Sequence, residues 1–298
     1  MSPESAMPDD PLAFYTRPAV MTDPGPAAAF ARQPADIPAL CGLVHGVLLH
    51  QHWARAYGQQ LTPERIETAH LRRVRDLCGA IRALDPSPLT VARPPERRVV
   101  GVCQHFTVLA CAALRAAGIP ARARCGFGTY FEPGKGVDHW IAEYWDGRRW
   151  VAADFQIDAV QAAALHPDFD VLDQPRGKFL RAGEAWRACR RGERDANAFG
   201  IFGEGGFWFI AQNLIRDVAA LNNMEMLPWD VWGAMPKPDD EITPALFTLF
   251  DHLAELTADP DAGFTELRHA YEKDIRLHVP AEVFNAVRRR VEPVVAGG

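Results

Sequence analysis

A cysteine, a histidine and an aspartate stand in that order at Cys103, His139 and Asp154. Together they are the three side chains that acyl transfer through a thioester requires: a nucleophile, a base and a group that orients the base. Cys103 opens an apolar run containing Phe106, Val108, Leu109 and Ala112–Leu114, with Gly118 and then Pro120 behind it. This pattern predicts a core helix that starts at or just before Cys103. Unpaired N–H groups and the macrodipole at a helix start favour a thiolate. An imidazole at His139 would take the thiol proton and return it to a leaving amine. A carboxylate on the other ring nitrogen would fix the tautomer and stabilise imidazolium.

Strands are predicted at 121–131, 139–145 and 149–155, the last two joined by Asp146-Gly147. His139 lies seven residues before Asp146 and Asp154 seven after Gly147, so a regular hairpin places both on one sheet face. Asp138 would point to the opposite face, which selects Asp154 as the orienter. His105 is two residues beyond Cys103, about 200° around a helix, off the cysteine's face. It is assigned to the substrate pocket, with Gln104, Tyr130 and Trp140. The backbone N–H of Cys103 is the expected first oxyanion donor, with Trp53 a candidate for the second.

These residues resemble the transglutaminase-like superfamily of cysteine enzymes. The resemblance is carried by V-C-x-H-F at 102–106, L-R-A-A-G-I-P-A-R at 114–122, D-H-W at 138–140 and W-V-A-A-D-F at 150–155. It spans residues 97–158, with the family core extending over 40–175. The longer run from VHGVLLHQHWARAYG to EMLPWDVWG is similar to bacterial transglutaminase-like proteins. The resemblance implies an α+β, papain-like core, with the cysteine's helix packed on an antiparallel sheet, and a catalytic triad of Cys103, His139 and Asp154. It also implies acyl transfer at an amide or thioester, by an amidase, peptidase or amide-forming acyltransferase. The substrate would be a peptide, an amide or an acyl thioester. The alternative is an inactive domain of the same fold that binds peptide or protein.

The bulk properties narrow the setting. The chain has 298 residues, a net charge of −6 and 23% charged residues, which gives no electrostatic reason to expect nucleic acid as a partner. Basic clusters at 187–191 and 288–290 sit beside acids and read as solvated helix faces. No apolar run suits a membrane span and no secretory pattern opens the chain, so a cytoplasmic location with reduced thiols is expected. Six cysteines without a CxxC give no zinc pattern. Cys41, His45 and His52 share one predicted helical stripe but lack a fourth ligand. No metal or cofactor is expected, and no sequence feature sets an oligomeric state.

Residues 1–35 read as an extended arm anchored by Phe14, Tyr15, Met21 and Phe30. A catalytic domain is expected over 36–235 and a helical extension over 236–298. Helices are predicted at 36–58, 62–84, 178–191 and 207–222, then at 243–257, 262–276 and 280–292.

Overall fold

The computed structural model describes residues 10–25, 36–238 and 240–295. Proline in the first turn and a polar cap start several helices, as the sequence predicts. The N-terminal region, expected to be extended, contains α1 (Pro11–Thr16), with Asp10 accepting from the Leu12 N–H. Phe14, Tyr15 and Met21 of this region are buried, and the Tyr15 hydroxyl donates to the Leu221 carbonyl at 2.8 Å. Phe30 lies outside the described residues.

The predicted first helix is shorter than its apolar pattern. α2 (Ile37–Val47) gives way at Leu48 to β1 (Leu48–His50), which pairs in parallel with β2 (Val99–Gly101). Sheet pairing outweighs helical periodicity there, and His52 consequently leaves the stripe of Cys41 and His45. The second predicted helix is also broken, into α3 (Pro63–Ile66) and α4 (Val74–Leu84). α5 (Cys103–Ala116) follows β2 and is buried from Cys103 through Arg115.

The main sheet is built from β3 (Ala121–Gly128), β4 (Gly136–Trp145) and β5 (Trp150–Ala153). α6 (Ala159–Leu165) leads to β6 (Phe179–Arg181) and α7 (Ala182–Arg190). Helix was expected from Lys178, but Phe179–Arg181 pairs with Gly126–Gly128 and delays its start. β7 (Phe199–Ile201) and β8 (Glu204–Gly205) then precede α8 (Phe207–Leu221). The strand order is β6-β3-β4-β7-β8, with β5 on β4. Helices on mixed, mostly antiparallel strands make the fold α+β.

The last segment holds β9 (Asp230–Val231), α9 (Pro244–Leu256), α10 (Phe264–Lys273), β10 (Glu282–Asn285) and β11 (Arg290–Pro293). The expected third helix of the C-terminal extension is instead a β10–β11 hairpin beside β9. Its alternate burial (Val283 and Asn285 in, Glu282 and Phe284 out) is the two-residue period of a strand. Phe250, Leu253 and Leu267 of this segment share one core with Phe127 and Leu214, so the extension is built into the body of the fold.

Candidate active site

The β4 register sorts its side chains. Cys125 faces Trp140 across β3–β4, and Gly126 faces His139. Trp140 and Ala142 therefore point toward α5, in the same core as Cys103, while Ile141 and Glu143 alternate to the other face. The β4–β5 pairing sets Ala142 opposite Ala153, and its last turn spans four residues, Asp146–Arg149. One step further, Asp154 stands diagonal to His139 and on the same face. A regular hairpin centred on Asp146-Gly147 would put the two directly opposite. The register differs by two residues, which preserves the face.

His139 Nε2 lies 2.8 Å from Asp154 Oδ2, with both side chains buried. The Tyr130 hydroxyl donates to the same oxygen at 2.6 Å, and the Gln156 N–H donates to Oδ1 at 2.8 Å. Burial alone would raise the Asp154 carboxyl, but His139 and these hydrogen bonds outweigh it and hold the group below its ordinary value. An ionised Asp154 accepts from Nε2–H, so the nitrogen of neutral His139 left to take a proton is Nδ1. Phe131 stands edge-on to the imidazole at 4.8 Å, and Tyr130 packs on Phe131 at 4.5 Å.

Cys103 is the first residue of α5 and is 7% exposed. Burial pushes its thiol well above the ordinary range, and the Asp138 carboxylate pushes the same way. Opposing this, the backbone N–H groups of Trp140 and Gln104 lower it. Among the described residues, no hydrogen bond joins Cys103 Sγ to the His139 ring. Asp138 turns away from His139 and accepts from Asn213 of α8 at 2.7 Å.

Three of the four residues assigned to the substrate pocket are placed otherwise. His105 has both ring nitrogens engaged: Nδ1 accepts from the Val102 N–H at 3.1 Å and Nε2–H donates to the Leu71 carbonyl at 3.0 Å. It therefore caps the start of α5. Gln104 is fully buried and donates to the Glu225 carbonyl at 2.7 Å. Trp140 is sealed under α5, its Nε1–H unpaired. Strand alternation and helical winding carry these side chains into the core. Tyr130 stays at the site, as a hydrogen-bond donor to Asp154.

Sequence reasoning missed His50, at the end of β1 opposite Gly101. Its three-residue strand is too short for periodicity to disclose. On the same side, Phe202 at the β7–β8 turn is 74% exposed, holds a φ of 54°, and meets the His52 ring edge-on at 4.8 Å.

A cysteine at a helix start and a hydrogen-bonded histidine–aspartate pair on adjoining strands are the groups that cysteine enzymes use. Residues 55–155, a stretch containing all three residues, match the family model of the Transglutaminase-like superfamily. The resemblance carried by the sequence motifs thus extends across this segment, and it supports the general role of a cysteine enzyme. A solved structure described as a "Putative Cysteine Protease from Cytophaga hutchinsonii" aligns at 14% identity and a TM-score of 0.24. That alignment covers 57% of this chain and 45% of the other, so this chain spans less than half of that protein's length. A search of the curated proteins finds no match. Among the described residues, no helix is long and apolar enough to cross a membrane.

Proposed function

We propose that the protein is a cysteine-dependent acyltransferase or hydrolase acting on an amide or thioester, with Cys103 as nucleophile, His139 as base and Asp154 as orienter. The observation that carries this reading is the 2.8 Å contact between His139 Nε2 and Asp154 Oδ2, which leaves Nδ1 as the basic nitrogen. Burial favours a neutral thiol at rest. The sulfur therefore loses its proton to Nδ1 as it attacks, instead of resting as a thiolate. The C–S bond forms as the carbonyl π pair moves onto oxygen. Collapse of this intermediate breaks the bond to the leaving amine or thiol, which takes the proton from Nδ1. Water or an amine then attacks the thioester, giving its proton to Nδ1, and Cys103 recovers a proton when the C–S bond breaks.

The test is turnover of a panel of peptide amides and acyl thioesters by wild type, Cys103→Ala and His139→Ala. Loss of turnover in both variants is expected; a folded Cys103→Ala with wild-type turnover contradicts the proposal. The rate at which the acyl-enzyme decays with and without added amines separates the two product classes. Acceleration by an amine, with amide formed, identifies a transferase.

The near-complete burial of Cys103 favours one other reading, a non-catalytic domain that binds peptide or protein. Under that reading no acyl-enzyme forms with any panel member, and Cys103→Ala leaves binding unchanged.

A further inference from the structure

We propose that the His50 side chain supplies the second oxyanion donor, through Nε2–H, beside the backbone N–H of Cys103. The assignment rests on the reading of Cys103 as nucleophile. β1 runs parallel to β2 with His50 opposite Gly101, two residues before Cys103. The imidazole lies tilted over Phe106 at 6.1 Å between centroids. Phe106 is three residues after Cys103, so it shares the cysteine's face of α5. The ring is thus held against the helix surface that carries the sulfur.

The hydrogen bonding selects the tautomer. His50 Nδ1 accepts from the His52 N–H at 3.3 Å, so the proton of the neutral ring resides on Nε2. Among the described residues, none accepts from that Nε2–H. Burial, reinforced by the imidazoles of His52, His139 and His105, holds His50 well below its ordinary value and keeps it neutral. A neutral donor stabilises developing negative charge without competing with His139 for the proton that the leaving group must receive. No covalent bond forms or breaks at His50. Its hydrogen bond strengthens as the carbonyl oxygen gains the electron pair and relaxes when the intermediate collapses.

The experiment uses the full chain and p-nitrophenyl acetate as acyl probe, with the p-nitrophenolate burst as the acylation rate. Alkylation of Cys103 by iodoacetamide reports the thiol itself, and circular dichroism reports folding. His50→Ala is expected to slow acylation by roughly 10²–10³-fold, the usual cost of one oxyanion donor. Alkylation should stay close to the wild-type rate. His50→Gln keeps a side-chain N–H and should recover at least about tenfold of the loss, as fits a donor. A purely structural role would lower acylation and alkylation in parallel in both variants, and that result overturns the proposal. So does a folded His50→Ala that acylates at the wild-type rate while Cys103→Ala gives no burst. A burst of wild-type size in Cys103→Ala instead overturns the Cys103 reading, and the His50 assignment with it.

Discussion

Tyr130 and His139 converge on one oxygen of Asp154, while the Gln156 N–H holds the other. The carboxylate is thereby fixed in place as well as charged. Asp154→Asn would present an amide N–H or a weaker acceptor to Nε2 and disturb the tautomer. A fall in kcat of about 10⁴-fold with little change in KM is expected from steady-state kinetics. Tyr130→Phe removes only one of the bonds, so a loss of about tenfold is expected, the scale of one charge-assisted hydrogen bond. His105 makes a stability prediction. Burial lowers it from 6.5 to about 4. The unfolded chain therefore binds a proton that the folded chain refuses as pH falls below 6.5. Stability from this group is full above that pH and is lost by about 3 kcal/mol as pH falls to about 4. Urea denaturation of wild type and His105→Gln across that range checks it, the variant losing this part of the slope. Residue order and strand parity made the pairing of His139 with Asp154 legible, since parity survives a two-residue slip. The contacts of Tyr130 and His50 were not legible, because no local period joins either to its distant partner.

At the scale of elements, the sequence disclosed those whose burial follows one period over several turns. α5, α8, α9 and α10 fall close to their predicted ranges. The misread segments are short strands: β1, β6 and the β10–β11 hairpin. Each is defined by a partner remote in sequence, which no local pattern encodes. β6 also depends on a missing side chain. A Cβ on Gly126 would sit 2.2 Å from the Leu180 carbonyl oxygen and 2.9 Å from Arg181 Cα. These are backbone atoms of the partner strand and cannot swing aside. Gly126→Ala should cost about 3 kcal/mol. Chemical denaturation measures that loss, and because Gly126 pairs with His139, activity should fall with it.

Across the whole molecule, one buried carboxylate links the catalytic sheet to its surroundings. Glu143 on β4 lies 2.7 Å from Arg122 and also meets Arg124 and Arg181. Arg124 reaches Asp217 of α8 at 2.8 Å, and Arg122 reaches Asp261 near the C-terminal helices at 2.6 Å. Burial would raise the Glu143 carboxyl, but the guanidiniums of Arg181, Arg124 and Arg122 outweigh it and hold it well below the carboxylate range. Removing Glu143 takes from three guanidiniums the buried carboxylate they share. Glu143→Ala should cost about 3–5 kcal/mol, read from the shift in denaturation midpoint at constant slope. The salt bridges of Arg122 and Arg124 are the default expectation for charged strand residues. Their convergence on one carboxylate depends on the sheet and is not visible in sequence.

Whether Cys103 carries the acyl group is read by intact-mass spectrometry and peptide mapping after brief exposure to p-nitrophenyl acetate. One acetyl group per chain is expected on Cys103, absent in Cys103→Ala and slow to form in His139→Ala. Acetylation of another residue with Cys103 unmodified, or equal labelling of Cys103→Ala, would contradict it.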